Sequence, residues 1–176
     1  VFPHTCDSIQ RLSDVWRINV TTGFHTDMVL PVKLDTESAR DYMADVVKKF
    51  RRDLENGLGK QISDTEIESA ADLSNRIRRT VRSINKMRRD HPGLLSGKET
   101  GAMAKAGMVM DRHEFLELVR ELATEMEQKK SDTRFSGKRI VLSGGLCNMP
   151  DVYSIIEESG GAIVSDDLCT GSRFFE

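Results

Sequence analysis

Residues 139–169 read RIVLSGGLCNMPDVYSIIEESGGAIVSDDLC, and the fold class turns on them. Ile140-Val141-Leu142 is a short apolar run, followed by the glycine-bearing loop Ser143-Gly144-Gly145-Leu146-Cys147. Pro150 suits the first turn of a helix, where a backbone N–H would have no partner anyway. That helix is expected to run to about Ser159, where Gly160-Gly161 ends it, and Ala162-Ile163-Val164 makes a second strand. Strand, helix and strand in this order form a βαβ unit of the parallel type. Two parallel strands are not a stable sheet by themselves, because such sheets need further strands and helices on both faces. Residues 135–176 therefore read as the start of a second α/β domain.

Upstream, the apolar period is helical. Ala39, Tyr42, Met43, Val46, Val47, Phe50 and Leu54 recur at three- and four-residue spacing from Thr36 until Gly57 and Gly59. Ser63 and Glu66 carry a capping-box signature, and the helix they open bears Ile67, Ala70, Ile77, Val81 and Ile84 as far as about Arg89. His91-Pro92-Gly93 breaks it. A looser stretch rich in Met and Gly follows, and Asp111 with Glu114 opens another long helix with Phe115, Leu118, Val119, Leu122 and Met126 on its apolar face. Residues 35–134 are thus expected to form a helical linker region.

Residues 1–34 read as the end of a first α/β domain. Asp7 or Ser8 caps a short helix through Leu12, and Trp16 to Val20 and Met28 to Val32 are expected strands. The fold class expected is α/β: two Rossmann-like parallel-sheet domains, both incomplete here, joined by a helical segment. A chain that starts on Val1 and stops just after a strand is expected to be a fragment of a longer subunit.

Composition narrows the function classes. Lys and Arg total 26 against 28 Asp and Glu in 176 residues, a net charge of -2. With few aromatics (6%), that balance argues against nucleic acid as a partner. Mean hydropathy is -0.42, and no apolar run approaches the ~20 residues of a membrane span, so no membrane partner is expected. The first residues, VFPHTCDSIQ, have neither the basic nor the apolar region of a signal peptide. Three scattered cysteines make no disulfide framework. A reducing, cytoplasmic compartment is the expectation.

Those cysteines are the candidates for chemistry. Cys6 precedes a helix start, where backbone N–H groups and the helix dipole favour a thiolate. Cys147 and Cys169 follow successive strands of one sheet, at the strand ends where α/β sheets place their sites. Three thiolates suit an iron–sulfur cluster better than a closed zinc site, which takes four ligands. The bland alternative is that all three are idle or buried thiols, and no CxxC pair argues against it. The SGGLC loop lacks GxGxxG, so its glycines serve a tight turn better than a dinucleotide. Arg76, Arg78, Arg79, Arg82, Lys86, Arg88 and Arg89 fall mostly opposite the Ile77-Val81-Ile84 face, which makes them a solvated polar face or, more sharply, a docking surface for phosphates. His4 beside Cys6 is a hydrogen-bond donor to watch, with a structural role favoured.

Three segments carry a family resemblance: PHTCDSIQRLSDVW (3–16), LENGLGKQIS (54–63), and SGGLC (143–147) with DDLCTGSRFF (166–175). Together they resemble the 2-hydroxyacyl-CoA dehydratases and the related subunits of ATP-dependent benzoyl-CoA reductases, across almost the whole chain. The resemblance implies a [4Fe–4S] cluster held by Cys6, Cys147 and Cys169. It implies a heterodimer with a homologous second subunit, an ATP-dependent iron–sulfur activator protein that injects one low-potential electron, and an acyl-CoA substrate. The activity implied is that of a lyase: radical elimination of water from a 2-hydroxyacyl-CoA thioester. The alternatives are ring reduction of an aromatic acyl-CoA, or an electron-relay partner subunit. Asp166, Asp167, Ser172 and Arg173 flank Cys169 and either tune such a cluster or cap the following helix. No catalytic residue is named by this resemblance.

Overall fold

The computed structural model describes residues 1–132, 134–145 and 151–175. The chain divides into two compact units, the first Val1–Ile67 and the second beginning at Glu68. It is a mixed α/β chain with small parallel sheets.

The first unit contains β1 (Phe2–Pro3), α1 (Asp7–Asn19), β2 (Asp27–Met28) and α2 (Glu37–Leu58). Strands β1 and β2 pair in parallel, Phe2 opposite Asp27 and Pro3 opposite Met28. The strand expected at Trp16–Val20 is instead the last turn of α1 and its cap. Once a helix is nucleated each further residue adds a hydrogen bond, so Val15 and Ile18 cost little by being β-branched. Asn19 Nδ2 donates to the Val15 carbonyl at 2.8 Å and Val20 N to the Trp16 carbonyl at 2.8 Å, which closes the end. The strand expected over Met28 to Val32 shrinks to Met28 alone on β2, and Pro31 has no N–H to offer a ladder. Helix α2 matches its expected bounds. Thr36 Oγ1 accepts from Ala39 N at 3.2 Å, and Gly59 at φ 64° ends the helix in the left-handed conformation that glycine adopts without strain.

Helix α3 spans Asp64–Asp90, opened by the Ser63–Glu66 capping box: Glu66 N donates to Ser63 Oγ at 3.2 Å and Ser63 N to Glu66 Oε2 at 2.8 Å. In the second unit α4 (Gly97–Val109) and α5 (Arg112–Lys129) follow, then β3 (Lys138–Ser143), α6 (Val152–Glu158), β4 (Gly161–Asp167) and a 3-10 turn at Ser172–Phe175. The stretch expected to be loose is α4, with a capping box of its own at Ser96 and Glu99. Met103 is its one large buried apolar residue and the rest of its inward face is Gly97, Thr100, Gly101, Ala104 and Gly107, so no large-apolar period announces it. Ile77, Val81 and Ile84 of α3 and Phe115 and Val119 of α5 are wholly buried, joined by Phe175 from the 3-10 turn. Phe115 and Phe175 stack at a centroid distance of 5.5 Å. Truncating any of these to Ala costs about 2–5 kcal/mol.

The βαβ unit forms, with β3 and β4 parallel, but its helix starts at Val152 with Asp151 as N-cap rather than at the expected Pro150. Lys138 lies opposite Gly161 and Ile140 opposite Ile163, but Val141 lies opposite Ser165, so the register slips at Val164. Such an extra residue is a β-bulge. Among the described residues no helix is long and apolar enough to cross a membrane.

Candidate functional site

The Cys169 loop is built from α3 outward. Ile77, Val81, Ile84 and Arg88 succeed one another at four, three and four residues, so Arg88 sits on the buried stripe of its helix. Its side chain is 1% exposed, a correction to the solvated face expected for the α3 cations, whereas Arg78, Arg79, Arg82, Lys86 and Arg89 are exposed. Arg88 Nη1 donates to Asp166 Oδ2 at 2.9 Å and Nε to the Ile163 carbonyl at 2.6 Å. A buried charge is tolerated only with such partners, since desolvating it alone costs several kcal/mol.

Asp166 in turn shapes the loop beyond β4. Its Oδ1 accepts from Ser172 N at 2.7 Å and its Oδ2 from Ser172 Oγ at 3.3 Å, which caps the 3-10 turn. Gly171 N donates to the Leu168 carbonyl at 3.1 Å. A Cβ on Gly171 would lie 2.0 Å from Asp166 Oδ1, so only glycine lets the chain pass the carboxylate. Leu168 is buried at 4% exposure, and the next residue, Cys169, is exposed with a free thiol.

Asp167 faces solvent and takes a different partner. Arg173 Nε donates to Asp167 Oδ1 at 2.5 Å, Arg173 Nη2 to the Asp167 carbonyl at 2.7 Å, and Arg173 Nη1 reaches Cys169 Sγ at 3.8 Å. The Arg173 guanidinium holds the Asp167 carboxyl below its ordinary range. Two backbone bonds tie this loop to the end of β3: Gly144 N to the Asp167 carbonyl at 3.2 Å, and Cys169 N to the Gly145 carbonyl at 3.4 Å. Residues 146–150, with Cys147 and the expected helix-opening Pro150 among them, lie outside the described residues.

In the first unit Cys6 is the N-cap of α1, with extended backbone at φ -156° and ψ 164°. It displaces Asp7 and Ser8 from the capping role expected of them. Its side chain makes no capping hydrogen bond, and its thiol is exposed and free. The segment that leads to it is pinned to β2 by His4 N donating to the Met28 carbonyl at 2.9 Å. Asp27 is the hub beneath: His4 Nε2 lies 3.0 Å from Oδ1, Ser13 donates to Oδ1, and His25 Nε2 lies 3.5 Å from Oδ2. Burial pushes the Asp27 carboxyl up, but the Ser13 and His4 hydrogen bonds and the two imidazole charges pull it below its ordinary value. His4 therefore anchors the strand ahead of Cys6, in the structural role expected of it.

Cys6 and Cys169 are exposed thiols without a disulfide, Cys6 at the N-cap of α1 and Cys169 in the turn after β4. Soft sulfur donors of this kind fit iron–sulfur ligation. Among the described residues no group of three His, Cys, Asp or Glu gathers closely enough to hold a metal ion.

Comparison with known proteins adds a second line. A family model described as 2-hydroxyglutaryl-CoA dehydratase, D-component, matches residues 1–176. The (R)-phenyllactyl-CoA dehydratase beta subunit of Clostridium sporogenes is 25% identical over 168 residues, covering 96% of this chain and 45% of that protein. The lactoyl-CoA dehydratase subunit beta of Anaerotignum propionicum is 27% identical over 173 residues, 98% of this chain and 45% of that protein. A benzoyl-CoA reductase subunit of Thauera aromatica is 25% identical over 179 residues, 99% of this chain and 45% of that protein. The chain thus spans less than half the length of the curated relatives it matches.

Proposed function

Because the chain belongs to the 2-hydroxyglutaryl-CoA dehydratase D-component family, we propose that it is part of a longer subunit of a radical 2-hydroxyacyl-CoA dehydratase. The match across residues 1–176 is the observation that carries this reading, and the family is the one that the cysteine-bearing segments resemble. In the proposal Cys6, Cys147 and Cys169 hold a [4Fe–4S] cluster. Bound there, such a cluster supplies a low-potential electron and one open iron, the redox and Lewis-acid chemistry that eliminates water from an acyl-CoA thioester.

The chain's own residues present the sulfurs. The Arg88–Asp166 pair and the Ser172 cap fix the turn that exposes Cys169. The His4–Asp27 contact fixes the strand that delivers Cys6 to the start of α1. The partners proposed are a homologous second subunit, an ATP-dependent iron–sulfur activator protein and the acyl-CoA. The equal identity to a benzoyl-CoA reductase subunit supports a second reading, in which the electrons are consumed in reducing an aromatic acyl-CoA.

Anaerobic iron and sulfide analysis with EPR, on the full-length subunit beside Cys169→Ala, tests the reading. About four irons per subunit, lost in the variant, is the expected result. An intact subunit without iron, under conditions that load a known cluster protein, would overturn it.

A further inference from the structure

We propose that Arg173 is a positioning residue for the Cys169 sulfur, and that the Asp167–Arg173 pair gives a metal-bound thiolate at Cys169 its hydrogen-bond donor. The inference rests on the cluster reading above and assigns a division of labour between two adjacent aspartates. Asp166 is buried and spent on Arg88 and Ser172. Asp167 and Arg173 stand in solvent, at side-chain exposures of 55% and 46%. An exposed ion pair is screened by water and contributes little to folding. What distinguishes this pair is its aim.

Residue 167 takes Arg173 Nε on its carboxylate and Nη2 on its carbonyl, which leaves Nη1 directed at Cys169 Sγ at 3.8 Å. The guanidinium is a rigid planar fork, so fixing two of its nitrogens orients the third. The Asp167 carbonyl also accepts from Gly144 N at 3.2 Å, so the anchor is itself tied to the end of β3. A hydrogen bond to a ligating sulfur withdraws charge from it and favours the reduced cluster, which raises the reduction potential. The device suits a centre that must accept an electron from a donor protein.

The test compares wild type, Arg173→Met and Arg173→Lys in the full-length subunit. Arg173 is exposed, so both variants are expected to fold and to hold the same iron as wild type. In an EPR-monitored redox titration the midpoint of Arg173→Met shifts to more negative potential, and that of Arg173→Lys shifts less. An unchanged midpoint at equal iron content overturns the inference. A second arm needs no cluster. In iron-free protein, Cys169 and Cys6 compete for iodoacetamide at fixed pH, and peptide mass spectrometry reads the ratio of their rates. Removing a cation from beside an attacking sulfur slows it, so the Cys169 to Cys6 ratio is expected to fall severalfold in Arg173→Met. An unchanged ratio overturns the contact even if the wild type holds no iron. Absence of iron in the wild type, with the ratio still shifted, sinks the cluster reading and leaves the Arg173 contact standing.

Discussion

Arg88 and Asp166 lie 78 residues apart in sequence and meet at 2.9 Å, with side chains 1% and 0% exposed. Removing either partner strands the other's charge away from water. Arg88→Met and Asp166→Asn are each expected to cost about 3–5 kcal/mol in urea unfolding. The double variant is expected to cost much less than the sum, because the second change removes the charge that the first left unpaired. Strict additivity in that cycle would show that the two side chains do not stabilise one another.

Gly171 is the tightest point of the Cys169 turn. Asp166 cannot retreat from a new Cβ, because Arg88 and Ser172 already hold both of its oxygens. Gly171→Ala is expected to lose about 1–3 kcal/mol in thermal unfolding, the cost of overpacking a filled space, and to speed hydrogen exchange at Ser172 N. Gly145→Ala meets nothing within 4 Å and is the matched control, expected within about 0.5 kcal/mol of wild type.

Glu66 titrates far below its ordinary value, at about 2, because the Ser63 backbone N–H, Lys60 and the Ser63 hydroxyl all bond its carboxylate. A carboxyl depressed in the folded state stabilises that state fully above its unfolded value of about 4.3. The contribution fades as pH falls from there towards 2. The start of α3 is therefore expected to loosen in acid across that window, and Glu66→Gln removes this part of the pH dependence. Carboxyl carbon shifts in an NMR titration read both the midpoint and its loss.

What was legible in the sequence was chiefly local chemistry. Thr36, Gly59, Ser63 with Glu66, and Asp111 mark helix ends because a cap is satisfied by residues two to four positions away. The βαβ unit was legible for the same reason, since Gly160 and Gly161 mark the step from α6 to β4. Helix α4 was not, because its buried face is mostly small residues, with Met103 the one large apolar side chain on it. Arg88 was half legible: its spacing from Ile77, Val81 and Ile84 marks a core position, but its type points to water, and only Asp166 reconciles the two. The contact between Arg173 and Cys169 depends on the path of the turn between them, which spacing does not reveal. The ligand set proposed for the cluster draws on cysteines far apart in sequence, which spacing does not bring together, and Cys147 lies outside the described residues.

The slip at Val164 has a consequence for length. A regular strand deals its residues alternately to its two sides, so Ile163 and Asp166 would point in opposite directions. One supernumerary residue resets the count, and both are buried, at 2% and 3% exposure. The two adjacent aspartates thus hold posts that neither can exchange. The assignment is made by arithmetic rather than by chemistry. A different apolar residue at 164 preserves it, and so does removing that residue, since Asp166 then follows Ile163 by two positions and still lies opposite Leu142. Regular pairing through Val164 would instead turn Asp166 outward and offer Asp167 to the buried guanidinium.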